Sequence, residues 1–229
     1  QKQFEKGFSA SVAYVRQEGK NYFDGGGDQF AGTWTGNATV NGSNNPDLGF
    51  NGFVPDRLFA TLSYRKEFLK HLGTSFTMFY EGSSQGRVSY TYSADFNQDG
   101  ANNDLIYVPL NRSDITFTPF TAGGINYTAA AQADIFFRYL EQDNYLNSRR
   151  GKFAERNGGL LPWVNSVDFN FTQDLFTNIG NKRNTLQFNW TVNNFGNFIN
   201  KNWGVRKQLV RSQILVPTST QTPGGTNQP

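Results

Sequence analysis

Cysteine is missing from all 229 positions, which excludes disulfides, a Cys-based zinc site and a thiol nucleophile. Histidine occurs once, as His71, in the stretch 66–72 with no nucleophile or carboxylate motif beside it, so catalysis has little to stand on. Long apolar runs are absent too, and none approaches the ~18 residues that mark a membrane helix. A strong excess of one charge is also missing: 21 Lys and Arg against 18 Asp and Glu leave a formal net charge of only +3, with a pI near 9.1. Apart from Arg149, Arg150, Lys152 and Arg156 the basic residues are scattered, which argues against a nucleic-acid partner. The start Gln1-Lys2-Gln3-Phe4 lacks the apolar centre of a signal peptide, so an exported chain of this kind is expected to be mature or truncated.

What is present is aromatic. Phe is the dominant hydrophobe, with 22 copies, although only 37% of residues are apolar and the mean hydropathy is −0.58. A water-soluble sandwich usually holds more Val, Ile and Leu; this mixture suits a closed sheet with an apolar outside and a polar inside. Strands of such a sheet need only alternate, so hydropathy alone does not exclude the membrane.

Period-two alternation marks five strands, at 7–17, 57–66, 72–92, 164–176 and 184–196, with a weaker sixth at 205–216. In the fourth, Val167, Phe169 and Phe171 point one way and Asp168, Asn170, Thr172 and Asp174 the other. In the fifth, Leu186, Phe188, Trp190 and Val192 oppose Gln187, Asn189 and Thr191. Leu58, Ala60, Leu62 and Tyr64 form the apolar side of the second strand. Phe8, Ala10, Val12 and Tyr14 do so in the first, and Leu72, Thr74, Phe76, Met78 and Tyr80 share a face of the third. Short turns at 67–71 and 177–183 alternate with long connections at 18–55, 93–163 and beyond 196, as on the two rims of an outer-membrane barrel. Alternation does not say which face meets water. The uniform aromatic side, with Tyr and Trp towards strand ends, favours the membrane over a soluble sandwich.

Within the longest connection, 129–144 reads as a helix with Ala131, Ile135, Phe136, Tyr139 and Leu140 on one face and Asp134 pairing with Arg138. It is expected to pack on its own loop. The tail 217–229 reads as exposed loop or disorder.

Two acidic sets invite a chemical reading. Asp168 and Asp174 imitate a glycosidase pair, but polar lining of a lumen explains both without chemistry. Asp95-Phe96-Asn97-Gln98-Asp99-Gly100 matches the opening of a calcium loop, with oxygen side chains at alternate positions and Gly sixth. Position twelve is then Ile106 rather than Glu, with Asp104 two residues early. Calcium held by Asp95, Asn97, Asp99 and Asp104 is one reading, and an Asx-rich turn without metal is the other.

Several stretches resemble one family. Residues 2–8 with Val12-Ala13-Tyr14, and Leu62-Ser63-Tyr64-Arg65, are similar to barrel strands of TonB-dependent receptors. Residues 80–82 and 90–93, then 95–100 and 103–109, look like a loop of the large Oar-like members that carry a carboxypeptidase-regulatory-like extension. Residues 149–151, 161–163, 192–197 and 201–204 fit as well. The resemblance spans nearly the whole chain and implies an internal piece of the C-terminal half of an all-β, roughly 22-stranded transmembrane barrel. It also implies a bacterial outer-membrane location and uptake of a large nutrient, not enzymatic activity. The implied partners are outer-membrane lipid, the remainder of the barrel and its plug, TonB, and a surface lipoprotein or other outer-membrane complex subunits. Two other classes stand beside it: a non-transporting structural or assembly barrel, and a soluble secreted glycan binder using Trp34, Trp163 or Trp203.

Overall fold

A computed structural model describes residues 1–23, 29–68, 72–176, 184 and 186–218, and the chain is mostly β. The alternating stretches pair into one antiparallel sheet of six strands: β1 (Lys2–Gln3), β2 (Phe8–Arg16), β3 (Asp56–Phe68), β4 (Leu72–Ser84), β5 (Trp163–Phe176) and β6 (Leu186–Val192). They lie in chain order, each bonded to its sequence neighbours. Short connections dictate the pairings of β1 with β2, β3 with β4 and β5 with β6, while long connections join β2 to β3 and β4 to β5. The partners Phe8, Tyr64, Phe76, Phe171 and Trp190 form one row across five strands, so the register puts the alternating apolar residues on a single face. β1 and β6 are the edges of this sheet.

The chain divides into two compact units. The sheet unit comprises 1–17, 54–85 and 162–208, and the loop unit 18–53, 86–161 and 209–229. Arg16 pairs with Asp56 and Trp163 with Ser84, so both long connections leave the sheet from the same end. At the other end Phe68 pairs with Leu72 and Phe176 with Leu186. His71 lies outside the described residues.

The expected long loops are therefore a folded body. Its core holds Leu105, Ile106, Val108, Leu140 and Leu146, all fully buried, with Phe136 and Phe137. Two-residue strands tie it together, among them Lys20–Asn21 on Gly49–Phe50 and Tyr107–Val108 on Lys152–Phe153. Two strand assignments change accordingly. The strand expected over 72–92 leaves the sheet at Ser84, and its last part, Thr91–Tyr92, belongs to the loop unit. There it pairs in parallel with Gln213–Leu215, which is all of the 205–216 candidate that forms a strand.

The expected helix runs over Ala129–Gln142 (α1), with Thr128 accepting the Ala131 N–H as its cap. A second helix, Asn144–Ser148 (α2), follows at once because Asp143 accepts the Leu146 N–H and restarts the turn. The buried stripe is Phe136, Phe137 and Leu140, whereas Ile135 is 60% exposed. The helix is rotated from the expected face because Phe137 buries more apolar area than Ile135. Asp134 pairs with Arg112 at 2.5 Å rather than with Arg138.

Candidate functional site

The two faces of the sheet differ in chemistry from edge to edge. On one, Phe76 packs against Phe171 at 5.1 Å and Phe169 at 6.2 Å, Trp190 meets Phe169 edge-on at 6.2 Å, and Phe171 sits 6.3 Å from Phe188. These five rings line a shallow apolar concavity that is open to the surroundings. Phe188 is 51% exposed, Trp190 54% and Val12 70%. The expected placement of Phe169, Phe171, Leu186, Phe188 and Trp190 together, opposite Asp168, Asn170, Gln187 and Asn189, is what the register shows.

Charge is excluded from the apolar face over a defined length. Between the Asp56–Arg16 pair at one end and Lys66 at the other, β2 to β6 place no charged residue on it. The interval from position 56 to 66 along β3 spans about 33 Å at roughly 3.3 Å per residue. Near the Asp56 end stand the polar-tipped aromatics. Tyr80 donates to Asn165 Oδ1 at 2.7 Å, and Trp163 Nε1 donates to the same oxygen at 3.0 Å. Both lie over Gly82, where a Cβ would come within 2.4 Å of the Tyr80 hydroxyl and 2.7 Å of the indole. Only glycine leaves room for that cover.

The opposite face is a mostly polar, hydrogen-bonded surface on which Phe59 and Phe79 stack at 6.2 Å. Ser9 and Ser63 bond at 2.6 Å, and Asn170 donates to Asn189 at 2.7 Å and Thr191 at 2.8 Å. Arg65 on β3 reaches across β4 to Asp174 on β5 at 3.5 Å, and Gln187 on β6 donates to the same carboxylate at 2.8 Å. The crossing passes over Gly73, whose Cβ would meet Asp174 Oδ2 at 2.5 Å. Asp168 accepts the Asn194 N–H at 2.7 Å. Asp174 lies six residue steps along the strand from Asp168, about 20 Å, far beyond a glycosidase pair.

In the loop unit, Asp95, Asn97, Asp99 and Asp104 are brought into one turn, with left-handed backbone at Gln98 (φ 57°) and Gly100 (φ 93°). Their oxygens face backbone donors. Asp95 accepts from the Asp99 and Gly100 N–H groups, Asn97 from Asp99, and Asp99 from Ala101 and Ser43. Asp104, fully buried, accepts from Phe96 and Asn97. This is the Asx-turn arrangement. Among the described residues no group of three or more His, Cys, Asp or Glu is placed to hold a metal. The carboxylates of Asp95, Asp99 and Asp104 each accept backbone N–H groups of the turn.

Sequence reasoning missed Arg156, which is 2% exposed. Its guanidinium donates to Tyr22 O at 2.5 Å, Asn37 Oδ1 at 2.6 Å, Asn21 Oδ1 at 2.6 Å and the Asn21 carbonyl. A buried cation so held fixes the first connection to the second. The basic run 149–156 was its only signal in the sequence. Tyr90 was missed as well. Burial and then its hydrogen bond to Asp143 push its hydroxyl far above the ordinary value of 10. Burial raises Tyr92 and Tyr145 in the same direction. No family model, no characterised protein and no solved structure matches the chain.

Proposed function

We propose that the sheet is a segment of wall from a bacterial outer-membrane β-barrel, and that the chain is part of a TonB-dependent receptor taking up a large nutrient. The observation that carries this reading is the exposed, charge-free aromatic face opposite a hydrogen-bonded polar one. About 33 Å along strands tilted by about 40° is about 25 Å of height, the apolar thickness of such barrels. Strands of 13 and 14 residues support it, since soluble strands average about 5–6 residues and membrane strands need about 9–11. So do the polar-tipped Tyr80 and Trp163 near one end of the band, as at a membrane interface. On this reading Phe171, Phe188 and Trp190 meet lipid. Asp168, Arg65 and Asp174 line the lumen, and the loop unit faces the outside of the cell. The open edges, β1 and β6, are then completed by the rest of the barrel.

Sidedness tests it. Arginine near the midplane costs about 2–4 kcal/mol on the lipid face and far less inside. Phe169 lies in the middle row of the band, level with Leu62 and Met78, so Phe169→Arg lowers the yield of heat-resistant, membrane-inserted barrel well below that of Asn170→Arg in the parent protein. Equal yields overturn the orientation. A tag placed at the exposed Gly123–Gly124 hairpin is stained on intact cells, whereas one at Asn181 is stained only after permeabilisation.

A further inference from the structure

A cavity of about 690 Å³ lies wholly within the loop unit, between residues 115–120 and 214–218. Its size falls within the roughly 300–1,000 Å³ of ligand sites. The floor is aromatic: Tyr92 stacks on Phe96 at 4.4 Å, and Tyr107 meets Phe153 edge-on at 5.3 Å. Prolines 109, 119 and 217 stiffen the walls. Its polar side chains are the carboxylate of Asp114, the amide of Gln132 and the hydroxyls of Thr116, Thr118 and Thr218, beside those of Tyr92 and Tyr107.

What the walls offer a ligand is mainly backbone. Residues 115–119 run without helix, turn or bend, starting extended at Ile115 (φ −142°, ψ 135°). Among the described residues, no hydrogen bond engages the N–H groups of Ile115, Thr116, Phe117 or Thr118. Of the carbonyls in this stretch only that of Thr118 is engaged, by Gln132 Nε2 at 2.9 Å. Gln132 is thus committed, with a second bond to the Tyr127 carbonyl. An extended backbone flanking an apolar trough matches another extended backbone, whose main chain adds to the edge while its side chains fill the trough. Asp114, which accepts the N–H groups of Leu110 and Asn111 at 3.0 Å each, leaves one negative charge at the rim. That charge repels acidic ligands and attracts a free α-ammonium group.

We propose that this cavity binds a free, short, extended peptide with apolar side chains and no acidic residue, paired through its backbone with residues 115–118 and with its amino terminus towards Asp114. Such a peptide is a substrate class for the uptake reading, and its biological role rests on that reading. The binding itself needs only the loop unit.

The test is calorimetry on the whole chain in detergent micelles, with the pentapeptide Val-Thr-Val-Thr-Val-amide as probe. The peptide binds, and N-methylation of alternate backbone nitrogens weakens it by roughly tenfold or more. Acetylating its amino terminus weakens it several-fold. Val216→Arg, at a cavity-lining residue that is 69% exposed, abolishes binding while leaving the near-UV circular dichroism intact. Absence of heat at millimolar peptide overturns the proposal, as do equal affinity for the N-methylated probe, equal affinity for the acetylated probe, and unchanged binding in the Val216→Arg variant. Maltohexaose binding that Val216→Arg removes reassigns the cavity to glycans. None of these failures touches the sidedness test of the barrel wall.

Discussion

The two units of this chain hold their apolar residues in opposite ways. Twelve hydrophobic residues are buried among those described, and only Val167 belongs to the sheet unit; the other eleven lie in the loop unit. The sheet has the longer strands and the more regular hydrogen bonding, yet it turns Phe, Trp and Val outward. The loop unit has strands of two or three residues and a core with fully buried Leu and Ile. A water-solvated sheet with that face bare would lose the hydrophobic term that drives folding, whereas a sheet in lipid loses nothing. The loop unit carries the ordinary signature of folding in water.

The comparison breaks first at Arg156. Arg156→Ala strips donors from four oxygens of Asn21, Tyr22 and Asn37; only Asn37 is buried and water reaches the others, so the change costs the loop unit roughly 3–5 kcal/mol. Arg16→Ala, at the more exposed ion pair with Asp56 on the sheet, costs under about 1 kcal/mol. Limited proteolysis across a urea series, read separately for fragments of the two units, checks both, and equal costs would erase the distinction. Next, Leu140→Ala removes a fully buried side chain and destabilises by about 2–5 kcal/mol, while Leu62→Ala, at 49% exposure, changes stability in detergent by about 1 kcal/mol or less.

Alkaline pH sharpens the contrast. Tyr90 keeps its proton in the folded loop unit well above pH 10, whereas the unfolded chain releases it near 10. Its contribution is therefore complete below pH 10 and falls by about 1.4 kcal/mol per pH unit above it. Tyr90→Phe lowers stability at pH 8 through the lost bond to Asp143, and its denaturation midpoint falls less steeply between pH 10 and 11 than that of the unaltered chain. The smallest effect concerns the aspartate turn. Asp99→Ala loses the acceptors for Ala101 and Ser43 and costs about 1 kcal/mol, equally with and without calcium. Calcium heats that differ between the intact chain and this variant, at the ~10⁻⁴–10⁻³ M expected of a weak extracellular site, would restore a cation to Asp95, Asn97, Asp99 and Asp104.

The sheet was legible because its signal is local. Phe169, Phe171, Phe188 and Trp190 alternate with Asp168, Asn170, Gln187 and Asn189, and a period of two needs no knowledge of any partner. The loop unit was not legible. Tyr107–Val108 is too short to show a period, and its partner Lys152–Phe153 lies more than forty residues away. The apolar run 105–108 hinted at a core but carried no sign of what would cover it. The calcium-like spacing was visible too, while the turn to which those oxygens are committed was not.

The amino-acid order by itself determined the number of long strands, the composition of each face and the side of the sheet on which charge is allowed. Each follows from steric alternation along an extended chain. Tertiary structure alone decided that the long connections form a body with its own core and that Arg156 is buried in carbonyls contributed from positions 21 to 37. It also decided that Phe137 rather than Ile135 faces inward and that a cavity opens beside an unpaired stretch of backbone. Those outcomes depend on which distant surfaces exclude water together, a free energy that belongs to pairs of segments and is written in neither one alone.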